Sequence, residues 1–417
     1  MRPDRRAFLG MAVTAGLFGL NPSLLAAQTK FPASKGAGPS SLPPPISTAE
    51  RVQRIAKAQQ LMRSAGLKAL LVEAGSSLVY FTGVQWWRSE RLTAALIPAE
   101  GEPVLVTPAF EEPSVRENLK VSADVRVWNE HESPFAVLAD WLKAHGAGKG
   151  PVGVEETTRF FAFDGLRRLG VETRGDSDVV RACRVIKSPA EIALMQAASD
   201  ITIAAYRETG PQIARGMTPA DIAHIMSGAM EKRGAIPGFT LVLLGEAAAY
   251  PHGTGKPQEV RPGEIVLLDC GCSVEGYQSD ISRTMVMGEA SKQQRTVWDL
   301  VHRGQQIAFE TAKVGTPAGA VDDAVRAAYE KAGYGPGYKL PGTSHRTGHG
   351  IGMDGHEPVN LVHGEQTPLA PGMCFSDEPG IYIPGSFGVR LEDCIHLTES
   401  GPKWFSVPPP SIDQPFD

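Results

Sequence analysis

The pattern of apolar and polar residues predicts alternating helices and strands over about residues 47–180. Residues 47–50, Ser-Thr-Ala-Glu, have the form of a capping box. Apolar residues at helical spacing follow, namely Val52, Ile55, Ala58, Met62 and Ala65. Short apolar runs typical of strands lie at 69–72, 78–81, 94–97, 104–107, 125–128 and 152–154. Helical patterns intervene at 113–119 and 134–145, so this segment is predicted to be an α/β domain.

A second domain is predicted from about residue 185 to residue 417. Its first two helices are indicated by Ser-Pro-Ala-Glu at 188–191 and Thr-Pro-Ala-Asp at 218–221. Each motif combines a capping residue, proline at the first helical position and an acid in the first turn. The apolar runs at 105–107 and 241–244 are interpreted as core strands of the two domains.

A hairpin in the second domain carries two acids in unusual positions. Apolar residues 265–268 lead straight into Asp269, a turn is indicated at Glu275-Gly276, and the next short segment carries Asp280. Cross-strand neighbours in a hairpin lie close enough for two carboxylates to share a ligand. A carboxylate in an apolar strand is costly unless a cation neutralises it, which favours a metal site. The alternative is that each Asp is a turn residue, a common position for this residue type.

Further candidate ligands follow along the chain. They are His345, His349 and His356 in one segment, Glu378 in Ser-Asp-Glu-Pro-Gly, and Glu392 in a strand-like segment. Asp269, Asp280, His349, Glu378 and Glu392 together offer four carboxylates and one imidazole, whose four negative charges balance two divalent ions. Such an oxygen-rich set suits manganese, cobalt, zinc or iron. Two ions about 3.5–4 Å apart can activate water for attack on a carbonyl. A lone His or a turn-flanking Glu would otherwise be structural.

These segments, in this order, resemble the pita-bread metallopeptidase family, which includes aminopeptidase P, prolidase, methionine aminopeptidase and the metal-free creatinases. Residues 75–83 and 185–188 also resemble the N-terminal domain of the creatinase type and the family's entry into the catalytic domain. The resemblance implies a creatinase-like α/β domain at 47–180. It further implies an α+β pita-bread catalytic domain at 185–417, with helices outside a curved antiparallel sheet.

The resemblance also assigns roles to individual residues. It implies that Glu378 bridges the metals and transfers protons as general base and acid. His356 matches a histidine that stabilises the tetrahedral intermediate, and His252 matches a further active-site histidine. His345, Tyr382 and Arg390 match substrate-side residues. For Arg390 the alternative is a structural ion pair with Asp393.

The function implied by the resemblance is hydrolysis of Xaa-Pro bonds by a dinuclear metallo-exopeptidase, as an aminopeptidase or a dipeptidase. Its substrate would be a peptide with proline in second position, and manganese is the favoured metal. The N-terminal domain disfavours methionine aminopeptidase, which lacks one. Alternatives are a creatinase-like amidinohydrolase or other small-molecule C–N hydrolase, a catalytically inactive binding module, and a lyase acting on a sulfonium compound.

Composition is that of a globular protein with two domains. The 417 residues are 42% hydrophobic and 21% charged, with a net charge of −5. This charge favours neither nucleic acid nor an anionic membrane as a partner. The five cysteines, Cys183, Cys270, Cys272, Cys374 and Cys394, are interpreted as small buried hydrophobic residues without an obligatory disulfide. A thiolate site at Cys270 and Cys272 is the alternative.

The N-terminus predicts export. Arg5-Arg6-Ala7-Phe8-Leu9 and the weakly apolar run after it resemble a twin-arginine signal, so residues 1–27 are predicted to be a cleaved signal peptide. Residues 28–46 are rich in Pro, Ser and Gly and are predicted to be a linker. The mature protein is expected in the periplasm or outside the cell, without a stable membrane anchor. An uncleaved anchor is the alternative.

The family resemblance also implies a homodimer. Family dimers can place aromatic residues of the N-terminal domain over the partner's site. Trp86 or Trp87 could therefore wall the entrance, and core packing or a surface patch is the alternative. The C-terminal residues 408–417 are predicted to be a surface extension.

Overall fold

The structure, a computed structural model, describes residues 41–416. The predicted signal peptide at 1–27 lies outside these residues, as does the part of the predicted linker that precedes residue 41. Among the residues described, we found no helix with both the length and the apolar character needed to cross a bilayer.

The first unit is the predicted α/β domain. Its helices are α1 (Thr48–Ala65), α2 (Ser76–Thr82), α3 (Glu112–Asn118), α4 (Pro134–Ala144), α5 (Phe160–Arg168) and α6 (Val179–Arg184). Its strands are β1 (Ala69–Glu73), β2 (Ala94–Pro98), β3 (Val104–Pro108), β4 (Asp124–Trp128), β5 (Val152–Val154) and β6 (Thr173–Gly175). They form one mixed sheet of order β4-β3-β2-β1-β5-β6. The pairs β3–β4, β1–β5 and β5–β6 are parallel, as helical crossovers require.

Two details of this unit were predicted wrongly. Residues 78–81 were assigned to a strand and lie within α2, which ends where Gly83 adopts a φ of 81°. Leu78 and Phe81 are both buried at a spacing that one helical face provides. A four-residue apolar run cannot distinguish a strand from a buried helix. In α1, Val52 is 52% exposed, so it does not belong to the buried face.

The second unit is an α+β domain with antiparallel sheets. Its helices are α7 (Pro189–Thr209), α8 (Pro219–Glu231), α9 (Lys292–Thr311) and α10 (Ala318–Lys331). Its strands are β7 (Ile236–Leu244), β8 (Ile265–Val274), β9 (Tyr277–Gln278), β10 (Ile281–Val286), β11 (Gly348–Gly350), β12 (Glu357–Leu361), β13 (Cys374–Asp377), β14 (Gly380–Ile383), β15 (Phe387–Arg390), β16 (Asp393–Thr398) and β17 (Gly401–Trp404). The strands form sheets of order β10-β8-β7 and β12-β11-β13-β16-β17, with β9 paired to β8 and β14 paired to β15.

Each half of this unit consists of a helix pair followed by a sheet. The capping boxes at Ser188 and Thr218 start α7 and α8 as predicted. A β-bridge between Ser282, in β10, and Glu392, just before β16, joins the two sheets. This junction brings side chains from both halves to one place.

The two units meet at a cluster of buried ion pairs around Glu357. Arg184, at the end of α6, contacts one carboxylate oxygen of Glu357, and Lys187 Nζ lies 3.0 Å from the other. The backbone N–H groups of Met353 and Asp354 donate to the same carboxylate over 2.9 and 3.1 Å. Although burial opposes ionisation, Lys187 and Arg184 lower the pKa of Glu357 to about 2. The carboxylate therefore stays charged and holds the start of β12, next to His356.

The C-terminal segment packs against the second unit, contrary to the prediction of a surface extension. Ile412 and Phe416 are buried. The ring of Phe416 stacks on Tyr206 of α7, with 5.7 Å between the centroids. The sequence did not indicate this packing because Ile412 and Phe416 are isolated apolar residues in a proline-rich segment.

Candidate active site

The hairpin of β8 and β10 places Asp269 and Asp280 on one face. Glu275 and Gly276 connect the strands with φ values of 51° and 85°. Two consecutive residues with positive φ are typical of a type I′ turn, whose twist matches that of the strands. Asp269 pairs directly with Ser282, so Asp280 is its diagonal neighbour and not the residue opposite. Diagonal neighbours share a face and remain within reach of each other.

The second half of the domain supplies His349, Glu378 and Glu392. His349 lies in β11 between two glycines that close packing requires. A Cβ atom on Gly348 would lie 2.1 Å from the Ser376 carbonyl oxygen, and one on Gly350 would lie 2.6 Å from that of Glu357. The glycines therefore permit β11 to approach its neighbours closely.

Glu378 and Glu392 are fixed by backbone hydrogen bonds. The Glu378 N–H donates to the Thr347 carbonyl over 2.9 Å. Glu392 and Ser282 exchange two backbone bonds, each of 3.2 Å. The Ser282 hydroxyl also donates to the Glu392 carboxylate over 2.8 Å. Ser282 was not predicted from the sequence, although its position two residues after Asp280 indicates that the two side chains lie on the same face of the strand.

All five predicted ligands lie together. Potential ligand atoms of Asp269, Asp280 and Glu392 lie within 4.8 Å of one another, as do those of His349, Glu378 and Glu392. A third group with the same spacing consists of Asp280, His349 and His356. This convergence is the geometry that a metal centre requires, while the role of each residue as a ligand stays a prediction.

His349 presents an unprotonated nitrogen to the acids. Its Nδ1 donates to the Gly350 carbonyl over 3.1 Å, so Nε2 carries a lone pair. This Nε2 lies 3.3 Å from a Glu378 oxygen and 3.7 Å from an Asp280 oxygen. Burial, followed by the nearby His356, lowers the pKa of His349 to about 3. A neutral imidazole oriented by a backbone carbonyl is the form in which histidine ligates metals.

The acids lack sufficient positive charge of their own. Burial, followed by Asp269, raises the pKa of Asp280 well above its usual range. Burial and the nearby Asp280 do the same to the pKa of Glu392. The pKa of Glu378 rises to about 7, also chiefly through burial. Buried carboxylates in this state are stable when ionised only if cations bind them, so the donor set fits two divalent ions.

Arg390 contacts the cluster directly and does not pair with Asp393. Its Nη2 lies 2.5 Å from the Asp269 carboxylate, and its Nε donates to the Ser282 hydroxyl over 3.0 Å. Asp393 instead pairs with Arg283 over 2.8 Å. The alternative that Arg390 forms a structural ion pair with Asp393 is therefore wrong.

Tyr382 and His345 form a chain of hydrogen bonds behind Arg390. Arg390 Nη1 donates to the Tyr382 hydroxyl over 3.0 Å, and that hydroxyl lies 2.7 Å from His345 Nε2. His345 Nδ1 donates to the Arg346 carbonyl over 2.7 Å, so its Nε2 accepts from Tyr382. Tyr382 is fully buried and does not line the cavity, which contradicts its predicted contact with substrate. Its hydroxyl instead holds Arg390 and His345 in place.

The acids open into a cavity of about 710 Å³. His252, His345 and His356 line it, as predicted for residues near the substrate. The His356 ring centroid lies 4.0 Å from that of His349. Arg346 also lines the cavity and was missed, although its place directly after His345 in the histidine-rich segment could have indicated it.

Four residues with apolar side chains complete the cavity wall. They are Phe239, Leu241, Pro251 and Val362. The residues 241–244 were interpreted as core, and Leu241 at their start is only half-buried because it faces this cavity. Trp86 and Trp87 stack on each other with 5.2 Å between centroids and do not line it.

The cysteines are buried thiols, as predicted. Burial raises the pKa of Cys270 and of Cys272, which disfavours a thiolate site there. The Cys272 Sγ donates to the Ala198 carbonyl over 3.3 Å.

Comparisons with known proteins agree with this geometry. Metallopeptidase family M24 matches residues 193–399, and the Creatinase/Prolidase N-terminal domain matches residues 54–186. The chain is 33% identical over 356 residues to a probable dipeptidase PepE of Mycobacterium bovis, covering 84% of this chain and 92% of the relative. It is 33% identical over 361 residues to an Xaa-Pro dipeptidase of Lactobacillus helveticus, covering 84% and 95%. The crystal structure of dipeptidase PepE from Mycobacterium ulcerans superposes with a TM-score of 0.80 at 31% identity, covering 88% and 98%. The chain therefore belongs to metallopeptidase family M24.

Proposed function

We propose that the protein is a metal-dependent exopeptidase that hydrolyses Xaa-Pro bonds. The observation that carries the proposal is the convergence of five ligand side chains from both halves of one domain on a single cavity. The relative from Lactobacillus helveticus, an Xaa-Pro dipeptidase, supports the substrate class. A creatinase-like reaction is disfavoured because creatinases have lost metal ligands that this chain retains.

The donor set supports two divalent ions, and we propose manganese. Asp269, Asp280 and Glu392 would hold one ion, and His349, Glu378 and Glu392 the other, in accordance with the two groups of neighbouring ligand atoms. Glu392 is common to both groups, whereas the family resemblance implied that Glu378 is the bridging residue. Such ions, when bound, supply Lewis acidity that polarises a carbonyl and acidifies water. Manganese prefers oxygen ligands to thiolates, so a carboxylate-rich site of this kind suits it.

Glu378 is proposed to move the proton. Its carboxylate lines the cavity and lies among the predicted ligands. A scissile carbonyl polarised by ions held there would lie beside it. It can accept a proton from the attacking water and return it to the leaving proline nitrogen. Peptide hydrolysis needs this transfer because an amide nitrogen leaves only when protonated.

His356 is proposed to stabilise the developing oxyanion. Arg346 Nη2 lies 3.4 Å from His356 Nδ1 and can only donate, so Nδ1 is the acceptor. The proton of a neutral His356 ring is then on Nε2. Burial and the neighbouring Arg346 lower the pKa of His356, which favours the neutral ring. Because His356 lines the cavity, this N–H group can donate to a carbonyl oxygen there as its charge grows.

The apolar side of the cavity supports selection of proline. Phe239, Leu241 and Val362 offer aliphatic and aromatic surface next to polar catalytic groups. A pyrrolidine ring is compact and lacks an amide hydrogen in the Xaa-Pro bond, so an apolar wall leaves no donor unsatisfied.

The direct test is an assay of Ala-Pro against Ala-Ala and creatine, with elemental analysis of the same sample. We expect hydrolysis of Ala-Pro by protein that carries about two manganese ions per chain, and none of creatine. Protein with occupied metal sites that leaves every Xaa-Pro peptide intact would contradict the proposal. The Asp323→Asn variant, altered at an acid outside the cavity, is the matched control for ligand variants.

Export and dimer formation are further proposals. The Arg5-Arg6 motif supports twin-arginine export, and we expect the double variant Arg5→Lys/Arg6→Lys to retain the protein in the cytoplasm. A periplasmic double variant would contradict this. The family resemblance supports a homodimer, which light scattering would distinguish from a monomer.

A further inference from the structure

Arg346 places a positive charge in the cavity that no acid of the described residues contacts, although this charge opposes the rise in the pKa of Glu378. No acid among residues 41–416 lies within ion-pair distance of its guanidinium, and its side chain has one hydrogen-bond contact, to His356 over 3.4 Å. The other arginine of the cavity, Arg390, is bound to Asp269. Arg346 therefore differs from Arg390 in having most of its five N–H donors free for a ligand.

The backbone on both sides of Arg346 is held firmly. Its own carbonyl accepts from His345 Nδ1 over 2.7 Å. The next residue, Thr347, donates through both its N–H and its hydroxyl to the buried carboxylate of Asp322, over 3.0 and 2.7 Å. The fold thus fixes where the side chain begins while leaving its charged end in the cavity. This is the arrangement expected of a binding residue.

The position of Arg346 relative to the ligands suits the C-terminal end of a dipeptide. Its guanidinium lies beside His356, whose ring is 4.0 Å from that of the predicted ligand His349. In an Xaa-Pro dipeptide the terminal carboxyl carbon is separated from the scissile carbonyl carbon by only the proline nitrogen and Cα, about 3 Å in space. A scissile carbonyl at the ligands therefore keeps the carboxylate near them, within the cavity whose wall includes Arg346.

We propose that Arg346 binds the C-terminal carboxylate of the substrate and makes the protein a dipeptidase, an inference that rests on the proposed Xaa-Pro exopeptidase function. A planar guanidinium binds a carboxylate through two parallel hydrogen bonds. A longer peptide places a neutral amide at that position, which satisfies fewer donors and leaves the charge unmatched. Selection between dipeptides and longer peptides thus follows from one side chain.

The test compares Ala-Pro, Ala-Pro-amide and Ala-Pro-Ala on the manganese-loaded wild type and the Arg346→Met variant. For the wild type we expect kcat/KM for Ala-Pro to exceed that for the amide roughly 10- to 100-fold, the usual range for a hydrogen-bonded charge. In Arg346→Met the ratio should fall to near one, mainly through a higher KM for Ala-Pro. Arg346→Lys should keep part of the ratio, because it retains the charge without the planar fork.

A binding measurement separates this inference from the proposed reaction. Calorimetry of the metal-loaded protein should show tighter binding of proline than of prolinamide, with the preference lost in Arg346→Met. Lys256→Met, which removes an exposed charge outside the cavity lining, should retain it.

Two results would overturn the role of Arg346. One is a wild type that hydrolyses the amide and the tripeptide as well as Ala-Pro, or binds prolinamide as tightly as proline. The other is an equal loss for Ala-Pro and its amide in Arg346→Met, which would mean that Arg346 acts only by orienting His356. A protein that prefers proline to prolinamide but cleaves no Xaa-Pro peptide would instead support Arg346 and contradict the proposed reaction.

Discussion

Glu357, at the interface of the two units, and Glu392, in the candidate active site, are both buried carboxylates with opposite surroundings. Glu357 contacts Lys187 and Arg184 and has its pKa lowered to about 2. Glu392 faces Asp280 and other acids, and its pKa is raised. A buried acid with protein cations beside it stabilises the fold, whereas a group of acids that has only Arg390 beside it needs further cations from solution. Burial alone therefore does not identify a ligand; the sign of the neighbouring charge does.

The largest expected effect is that of Asp280→Asn. Removing one carboxylate from the cluster should lower kcat/KM for Ala-Pro on the order of 1000-fold or more, because the metals can no longer be held together. Elemental analysis should show the loss of at least one ion per chain. The metal-free variant should unfold at no lower urea concentration than metal-free wild type, since a repulsion has been removed. Full metal content in the variant would contradict the assignment.

Glu357→Gln, in contrast, should lower the stability of the fold. Arg184 and Lys187 would remain buried without their shared counter-charge, which typically costs about 3–5 kcal/mol of unfolding free energy. Urea denaturation measures the loss directly. Glu310→Gln, which removes an exposed partner of Arg303, is the matched control and should change little. Equal effects of the two variants would show that the interface pairs are not structural.

The pH dependence of stability should separate the two regions. The folded-state pKa of Glu357, about 2, lies below the unfolded value of about 4.3. Its contribution, roughly 3 kcal/mol, is therefore fully present above pH 4.3 and is lost as the pH falls towards 2. Denaturant titrations of wild type and Glu357→Gln should converge over that range. Parallel curves would contradict the lowered pKa.

In the metal-free active site, the pH dependence of stability should have the opposite sign to that of Glu357. The folded-state pKa of Glu378, about 7, lies above its unfolded value, so the neutral carboxyl is favoured in the fold. Chelated protein should therefore lose stability as the pH rises from about 4.3 to about 7. Addition of manganese should abolish this loss, because bound cations favour the ionised acids. An unchanged pH profile after metal addition would count against the site.

The smallest effect is expected for Ser282→Ala. The Ser282 hydroxyl donates to Glu392 over 2.8 Å and accepts from Arg390 over 3.0 Å. Loss of a hydrogen bond that orients a ligand usually lowers metal affinity roughly 10- to 100-fold. Metal titration followed by activity measures the shift. Ser64→Ala, whose hydroxyl bonds only within α1, should leave the affinity unchanged.

Much of the fold and the set of candidate ligands could be predicted because short segments carry them. The hairpin turn at Glu275-Gly276 and the capping boxes at Ser188 and Thr218 depend on local backbone chemistry. The candidate ligands were recognisable because Asp269 and Asp280 stand where an apolar strand and a hairpin make an acid costly. Their meeting in space then followed from a fold that the family resemblance implied.

The wrong predictions concern residues whose partners are determined by tertiary contacts. Arg390 could pair with either of two acids, and the register between the two sheets selects Asp269 over Asp393. Tyr382 was matched to a substrate-side residue, and it is fully buried with its hydroxyl bonded to Arg390 and His345. Arg346 was overlooked because its significance depends on which acids do not reach it. Its place directly after His345 could have indicated a cavity residue, but neither propensity nor spacing shows whether an acid pairs with it.

The most direct test of the central claim measures Ala-Pro hydrolysis and bound metal together, as ions are removed by a chelator and returned. Activity should fall in proportion to bound metal and return as about two manganese ions per chain rebind to the acids around Glu392. Protein that is free of metal and still fully active would contradict the account.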